Sequence, residues 1–253
     1  MEPTLDLYRN AARYDRVSQP LAVNGADAAF FRRQAAQFGP SVLELACGSG
    51  RLAIPLAMAG FDVTGVDASP EMLALGRAKA GESRLICHQA DIRAFHLNRK
   101  FGLIFIGNNS LSHLLERAHV EQCFACVHEH LEPGGRFIVD VFNPSLAILT
   151  RDSAQDYPVT EYEDAESGVR VVVTETSRYD PASQVKHIRW RFSSARKTDD
   201  VVPLSLRIFY PQELDGLLEY NGFAIEHKYG TYGEDAFRGD SPKQIVVCRA
   251  TPC

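Results

Sequence analysis

The sequence lacks an apolar run of the ~20 residues that a bilayer-spanning helix needs, and it lacks an excess of basic side chains. Its 253 residues include 27 lysines and arginines against 32 aspartates and glutamates, which gives a net charge of −5. General nucleic-acid binders and proteins of anionic membrane surfaces are usually basic. We therefore expect no nucleic-acid partner and no membrane association.

Cysteine is also sparse, with six residues in the whole chain, so the disulfide framework of a small secreted domain is excluded. The cysteines occur at positions 47, 87, 123, 126, 248 and 253. Residues 1–16 are polar and contain Glu2, Asp6 and Asp15, unlike a signal or transit peptide. We expect a cytoplasmic protein, and the sequence leaves a homodimer open.

One cysteine-histidine cluster suggests zinc binding, because Cys123 and Cys126 lie between His119 and His130. On one helix, however, the two histidines would be about 16 Å apart at ~1.5 Å rise per residue, too far to share one ion. The same helix carries an apolar stripe suited to packing on a sheet, namely Val120, Cys123, Phe124, Val127 and Leu131. We predict core cysteines and no metal site.

Between residues 41 and 145, short apolar runs alternate with helical stretches. The strand-like runs cover residues 41–46, 61–66, 85–87, 103–106 and 137–141. This alternation predicts crossover units and a mostly parallel sheet. Two further runs, 223–228 and 244–249, are separated only by a polar loop, so they should pair antiparallel.

Three other features add to this pattern. Residues 1–40 are helical in pattern, and Asp27 is placed to cap a helix that ends before Gly39. Ser69 and Pro70 are placed to begin another helix. Residues 158–210 contain long runs that alternate apolar with charged side chains, which predicts an inserted antiparallel sheet with one exposed face.

The glycine-rich turn at residues 43–50, LELACGSG, leaves the first strand and enters a helix. Glycines let the backbone approach a ligand, and a helix N-terminus offers free N–H donors. The turn is therefore typical of a cofactor-binding loop. Residues 48–53, GSGRLA, also satisfy the dinucleotide fingerprint G-x-G-x-x-[G/A], so the turn alone leaves an NAD(P)-dependent oxidoreductase as an alternative.

Three carboxylates favour a different ligand. Glu44 lies inside the first strand, where a negative charge suits a cation better than a pyrophosphate. Asp67 ends the second strand and can accept hydrogen bonds from both hydroxyls of a ribose. Asp91 follows the third strand, where it can accept from an adenine amino group. The structural alternatives are a satisfied strand-end carboxylate for Glu44 and a helix cap for Asp67.

Four segments in this order and spacing, VLELACGSG, VTGVDASPEML, HQADI and LEPGGRFIVDVF, resemble class I S-adenosylmethionine-dependent methyltransferases of the small-molecule type. The resemblance covers residues 41–145 and, more loosely, 211–250. It implies an α/β, Rossmann-like fold with a seven-stranded, mostly parallel sheet whose last strand is antiparallel. It also implies S-adenosylmethionine as the cofactor.

The resemblance assigns the cofactor-binding residues one by one. Those around the methionine part are Glu44, Ala46, Cys47, Gly48, Ser49 and Gly50, with Cys47 contributing backbone only. Asp67 binds the ribose, with Ala68 and Met72 beside the adenosine. Ala90, Asp91 and Ile92 frame the adenine, and Gly107 and Asn108 line the site after the fourth strand. Ala46 replaces the glycine that is usual at the first position of the turn.

The resemblance also implies which residues contact the acceptor. His113 ends an S-x-x-H segment, Ser110–His113, which borders the acceptor pocket in amino-sugar N-methyltransferases, so it is our first candidate for orienting or deprotonating the acceptor. Tyr14 resembles a lid tyrosine that covers the sulfonium and positions the acceptor. Ordinary alternatives are a surface histidine bonded to backbone and a packing tyrosine.

Further acceptor candidates are Asn109, Trp190, Arg207 and Tyr210. Alternation along a strand predicts that Trp190 and Arg191 point to opposite faces, so only one of them can line a pocket. Such residues are more often ordinary sheet packing. We expect one domain, residues 1–253, with residues 1–40 as a helical lid and residues 158–210 as part of the acceptor pocket.

The sequence thus predicts methyl transfer from S-adenosylmethionine to a nitrogen or oxygen of a small metabolite. A nucleic-acid or protein acceptor is disfavoured, because there is no basic tract and no N-P-P-Y-type segment after the fourth strand. An oxidoreductase would leave Glu44 and Asp91 unexplained. A non-catalytic S-adenosylmethionine-binding protein is the other alternative, and its expected mark, a damaged site, is not seen.

Overall fold

The computed structural model describes residues 6–21, 25–164, 167–195 and 197–251, so that Cys253 lies outside the described residues. The strands are β1 (Ser41–Leu45), β2 (Asp62–Asp67), β3 (Ile86–Gln89), β4 (Phe101–Ile106), β5 (Leu131–Phe142), β6 (Tyr157–Glu163), β7 (Arg170–Asp180), β8 (Val185–Ser194), β9 (Lys197–Arg207), β10 (Phe223–Tyr229) and β11 (Lys243–Ala250). The α-helices are α1 (Asp6–Arg9), α2 (Ala11–Leu21), α3 (Ala26–Phe38), α4 (Ala53–Met58), α5 (Pro70–Ala80), α6 (Arg117–His130), α7 (Leu146–Leu149) and α8 (Pro211–Tyr220). Of the helices described, none is both long and apolar enough to cross a membrane.

The chain divides into two compact units. The large unit comprises Val23–Asn143 and Phe209–Cys253, and the small unit comprises Met1–Ala22 and Pro144–Ile208. Each unit has its own sheet.

The sheet of the large unit has seven strands in the order β10-β11-β5-β4-β1-β2-β3. Strands β1 to β5 are parallel where they pair, and β11 runs antiparallel to both β5 and β10. Apolar clusters cover it, including Phe124 and Phe137 in one and Phe31 and Phe105 in the other. The predicted fold class, with its antiparallel closing strand, is confirmed.

The small unit contains a four-stranded antiparallel sheet in the order β6-β7-β8-β9. Its buried face packs with Leu7 of α1 and Val17 of α2 around Ile188, Phe192 and other apolar side chains. The inserted antiparallel sheet is therefore confirmed. Strand β6 was not recognised in the sequence analysis, because its seven residues include Pro158, Glu161 and Glu163, which interrupt the apolar pattern.

The first residues of α5 and α3 can be compared with the capping predictions for Ser69 and Asp27. Ser69 caps α5, since its Oγ accepts a hydrogen bond from the N–H of Met72 at 3.2 Å, and Pro70 is the first helical residue, as predicted. The prediction for Asp27 was wrong, because the cap of α3 is Gly25. The buried Asp27 carboxylate accepts hydrogen bonds from the N–H of Ala28 at 2.8 Å and from the Arg51 guanidinium, so it lies inside the first turn and also has a tertiary partner.

Candidate active site

The carboxyl ends of β1, β2 and β4 lie side by side in the centre of the large sheet. Leu45 of β1 pairs with Val66 of β2 on one side and with Ile106 of β4 on the other. Asp67 stands opposite Gln89 of β3. The segments after these strands therefore meet at one edge, which is where open parallel sheets bind ligands.

The glycine-rich turn after β1 is held in place by backbone hydrogen bonds. The N–H of Cys47 donates to the Val66 carbonyl at 3.1 Å, and the N–H of Gly50 donates to the Cys47 carbonyl at 2.9 Å. Ala46 has a φ of 54°, in the left-handed region. Alanine tolerates this region at a cost of about 1 kcal/mol, and glycine does so freely, which is the physical reason why glycine suits this position.

Gly48 has the same left-handed backbone as Ala46, and it is also closely packed against Met72. Its φ is 54°, and a β-carbon there would lie 3.0 Å from the terminal methyl of Met72. Its N–H donates to Oδ2 of Asp67 at 2.7 Å. A side chain at position 48 would therefore strain the turn, and the Met72 methyl would have to shift slightly.

Asp67 ties the glycine turn to the start of α5. Its second oxygen, Oδ1, accepts from the N–H of Ser69 at 2.8 Å. Burial raises the pKa of Asp67, and the N–H groups of Ser69 and Gly48 oppose that rise. Each carboxylate oxygen can accept a second hydrogen bond, so the group retains acceptor capacity for hydroxyls such as those of a ribose.

Glu44 is a buried carboxylate beneath the turn, with only 5% of its surface exposed. Burial raises the pKa of Glu44 well above its ordinary value, while Arg51 and the N–H of Ala53 act in the opposite direction. Within the described part of the chain, its Oε2 finds no hydrogen-bond partner. A buried polar oxygen without a partner costs about 1–3 kcal/mol, and a cationic or hydrogen-bonding ligand would remove that cost.

Arg51 and Asp27 were not recognised as site residues from the sequence. Arg51 interacts electrostatically with Glu44, and its guanidinium is paired with the buried Asp27 carboxylate. The single Arg51 guanidinium therefore interacts with two acidic side chains. The pairing joins α3 to the residue after the glycine turn, a contact with no local sequence signal.

The residues assigned to the adenosine lie after β2 and β3. Met72 and Ile92 are buried, Ala90 and Asp91 are partly buried, and Ala68 is exposed. The N–H of Ala90 donates to the Asp67 carbonyl at 3.0 Å, which brings the two segments together. The Asp91 carboxylate forms a bidentate ion pair with Arg93, whose hydrogen bonds lower the pKa of Asp91.

The segment after β4 forms a turn and a short 3₁₀ helix, Ser110–His113. Gly107 is buried, and the exposed Asn108 and the partly buried Asn109 have φ values of 53° and 63°. The Asn109 carboxamide oxygen accepts from the N–H of Phe142 at 2.6 Å. His113 is partly buried, and burial lowers the pKa of its imidazole to about 4.

Three of the predicted acceptor residues belong to the small unit. The Tyr14 ring packs edge-on against Tyr8, with centroids 4.8 Å apart. The Trp190 indole donates to Glu175 at 3.3 Å, whereas Arg191 pairs with Asp156, so the two side chains lie on opposite faces as alternation predicts. Arg207 is buried. Their acceptor roles stay predictions.

The remaining predicted acceptor residue, Tyr210, precedes α8 in the large unit. Its N–H donates to the Glu213 carboxylate at 3.3 Å. This bond gives Tyr210 a structural function at the start of the helix. Its role towards an acceptor stays a prediction.

The cysteine-histidine cluster on α6 is packed into the large unit. Cys123 is buried beside Phe124, and Cys126 Sγ contacts the Arg93 carbonyl. Among the residues that the structure describes, His96, Glu129 and His130 have ligand atoms within 4.8 Å of one another. His130, however, uses both ring nitrogens, one towards the Leu97 N–H and one towards the Cys126 carbonyl.

We expect Gly65→Ala to lower the free energy of unfolding by about 1–3 kcal/mol, the usual cost of overpacking. Gly65 is buried in β2, and a β-carbon there would lie 2.6 Å from the Cys47 sulfur and 3.0 Å from the Cys47 Cβ. Chemical denaturation measures the change. Gly216→Ala is the matched control, because the described residues leave open space at that position of α8. Equal stability of the two variants would contradict the close approach.

The chain is similar in sequence to several known proteins. Residues 42–135 match the sequence family described as a methyltransferase domain. The chain is 31% identical over 119 residues to the dTDP-3-amino-3,4,6-trideoxy-alpha-D-glucopyranose N,N-dimethyltransferase of Streptomyces venezuelae, a match that covers 47% of this chain and 49% of that protein. Such matches span about half the length of the curated relatives concerned.

Two solved structures extend the likeness to the whole fold. The CcbJ methyltransferase of Streptomyces caelestis superposes with a TM-score of 0.85 at 27% identity and covers 100% of both chains. The glycopeptide N-methyltransferase MtfA, solved in complex with S-adenosylmethionine, superposes with a TM-score of 0.59 at 26% identity, covering 91% of this chain and 95% of that one.

Proposed function

We propose that the chain is a class I S-adenosylmethionine-dependent methyltransferase, and that the whole protein methylates an amine nitrogen of a small molecule. An amino-sugar dimethyltransferase and a glycopeptide N-methyltransferase among the similar proteins support nitrogen. A hydroxyl oxygen is the second candidate atom. The family match disfavours the NAD(P)-dependent oxidoreductase that the glycine turn alone had left open.

The observation that carries this proposal is the buried Glu44 carboxylate with its partnerless Oε2, beside the glycine turn. S-adenosylmethionine, when bound, supplies a methyl group on a positively charged sulfur. A desolvated site that contains the carboxyl groups of Glu44 and Asp67 favours such a cation over a pyrophosphate, because a positive charge stabilises their ionised forms. Glu44 and Gly48 would hold its methionine part and Asp67 its ribose, so the chemistry of the donor set fits this group.

The acceptor requires alignment more than activation, because the methyl group already has a good leaving group. Since burial lowers the pKa of His113 to about 4, the imidazole is neutral near pH 7. A neutral imidazole can accept a hydrogen bond from an acceptor N–H and so direct the nitrogen lone pair. The proton released when the nitrogen is alkylated passes to water, because an imidazole of such low pKa is too weak a base to take it.

A panel of matched acceptors tests the proposal. Amino sugars, their hydroxyl analogues and simple amines would be incubated with S-adenosylmethionine carrying a labelled methyl group. We expect label in the amine members and little in the hydroxyl analogues. Preferential labelling of the hydroxyl analogues would move the transfer to oxygen. Tight binding of S-adenosylhomocysteine with no transfer to any acceptor would favour a non-catalytic binding protein.

We expect binding of the cationic cofactor to release a proton from Glu44. Burial raises the pKa of Glu44 in the free protein, and a bound positive charge favours the ionised carboxylate, which lowers that pKa. Affinity should therefore weaken as pH falls. Calorimetry in two buffers of different ionisation enthalpy measures the proton count. Glu44→Gln is the control that removes this contribution, and equal proton release by both proteins would contradict it.

A further inference from the structure

A buried ionic cluster lies behind the segment that carries His113, and no step described above uses it. Asp140 of β5 is fully buried. Its Oδ1 lies 2.8 Å from the Lys243 ammonium, and its Oδ2 accepts from the Tyr232 hydroxyl at 2.7 Å. Burial and the adjacent Asp140 carboxylate raise the pKa of Tyr232, so the phenol remains protonated and donates.

Asp140 is also tied to the turn after β4. Its Oδ2 accepts from the N–H of Asn108 at 2.9 Å, and its backbone carbonyl accepts from the N–H of Asn109 at 3.0 Å. In the reverse direction, the Asn109 carboxamide oxygen accepts from the N–H of Phe142 and from Lys243, at 2.6 and 3.3 Å. These bonds clamp the turn to the ends of β5 and β11.

The clamp holds a conformation that the turn would not keep alone. Asn108 and Asn109 both have left-handed φ values, a region that asparagine tolerates as a single residue and that two consecutive residues rarely adopt. The Asn109 carbonyl then accepts from the N–H of Ser112 at 2.9 Å, which begins the short helix that ends at His113. The direction of His113 therefore depends on the turn, and the turn depends on Asp140.

Stability alone does not account for such a cluster. A buried ion pair is often no more stabilising than apolar side chains of the same size, and this one lies among the apolar strands of the large sheet. We propose that Asp140, fixed by Lys243 and Tyr232, is the positioning residue that sets the Asn108–Asn109 turn and His113 for the acceptor. This inference rests on the proposed methyl transfer.

Hydrogen exchange tests the clamp without any acceptor. In Lys243→Met and Tyr232→Phe, the amides of residues 108–112 should exchange at least fivefold faster than in the wild type. Lys228→Met is the matched control, because the Lys228 side chain is as buried as that of Lys243 and pairs with a different carboxylate, the partly exposed Asp215, in the same unit. It should leave those amides unchanged. Unchanged exchange in both clamp variants would overturn the proposal.

A double-mutant cycle tests whether the Asp140 cluster acts on catalysis by positioning His113. Lys243→Met should lower kcat at least tenfold while the Kd of S-adenosylhomocysteine changes less than threefold. In the His113→Ala background the same substitution should lower kcat less than threefold, because its effect passes through the missing side chain. Equal losses of kcat in both backgrounds would overturn the positioning role. The cycle is repeated with Tyr232→Phe, which is a milder change.

If the wild type methylates no acceptor, the proposed function fails. The hydrogen-exchange rates of residues 108–112 then still decide whether Asp140 holds the turn.

Discussion

His113→Ala is expected to lower turnover about a hundredfold, the loss that misplacement of a reacting group causes, while the Kd of S-adenosylhomocysteine changes less than threefold. The imidazole lies after β4, in the turn that follows the central strands. It would meet the acceptor and not the cofactor, so its loss should affect kcat with the labelled amine. Single-turnover kinetics and calorimetry separate the two quantities.

The control for this variant is His96→Ala, since the His96 ring is 71% exposed, and it should retain full turnover. The pH profile gives a second readout. Because burial lowers the pKa of His113 to about 4, protonation of this residue should reduce kcat only near pH 4 and not near its ordinary pKa. A large loss of cofactor affinity in His113→Ala with unchanged kcat would move the residue out of the acceptor site.

Asp67→Ala is expected to weaken S-adenosylhomocysteine binding at least tenfold, which corresponds to about 1.4 kcal/mol. Two losses contribute to the weaker binding. The variant loses the charge-assisted hydrogen bonds to the ribose hydroxyls, and it releases the N–H groups of Gly48 and Ser69 that the carboxylate now holds. Isothermal titration calorimetry measures the change.

Asp62→Ala is the matched control for Asp67→Ala, because Asp62 lies at the opposite end of the same strand and its half-exposed carboxylate pairs with Arg99. It should bind the cofactor product as the wild type does. Asp67→Asn separates the two contributions, since a carboxamide oxygen can still accept one backbone hydrogen bond. Unchanged affinity in Asp67→Ala would remove the ribose assignment.

Local patterns predicted most of the large unit. Alternation of apolar and helical segments is read directly from side-chain periodicity, and it indicated the parallel strands and the antiparallel end. Ser69 caps α5 as its residue type indicates. Asp27 shows where such reasoning fails: Gly25 occupies the cap position of α3, and the Asp27 carboxylate pairs with Arg51, which is distant in the chain.

The acceptor side was only partly predictable. The S-x-x-H segment was visible by resemblance, yet the side chains that hold it were not. Asp140 looked like one residue of an apolar strand, and Lys243 and Tyr232 lie about a hundred residues further along the chain. They meet because β11 inserts beside β5, and no local pattern reports the ionic partner of a buried carboxylate.

By itself, the sequence determined the fold class, the glycine-rich turn and the acids at strand ends, since these depend on periodicity and on neighbours a few residues away. The tertiary structure alone decided which charges are shared. It placed Arg51 between Glu44 and Asp27, left one oxygen of Glu44 without a partner in the described chain, and buried Asp140 against Lys243 and Tyr232. The physical reason is that desolvation and ion pairing depend on distance in space, which strand order sets and sequence separation does not.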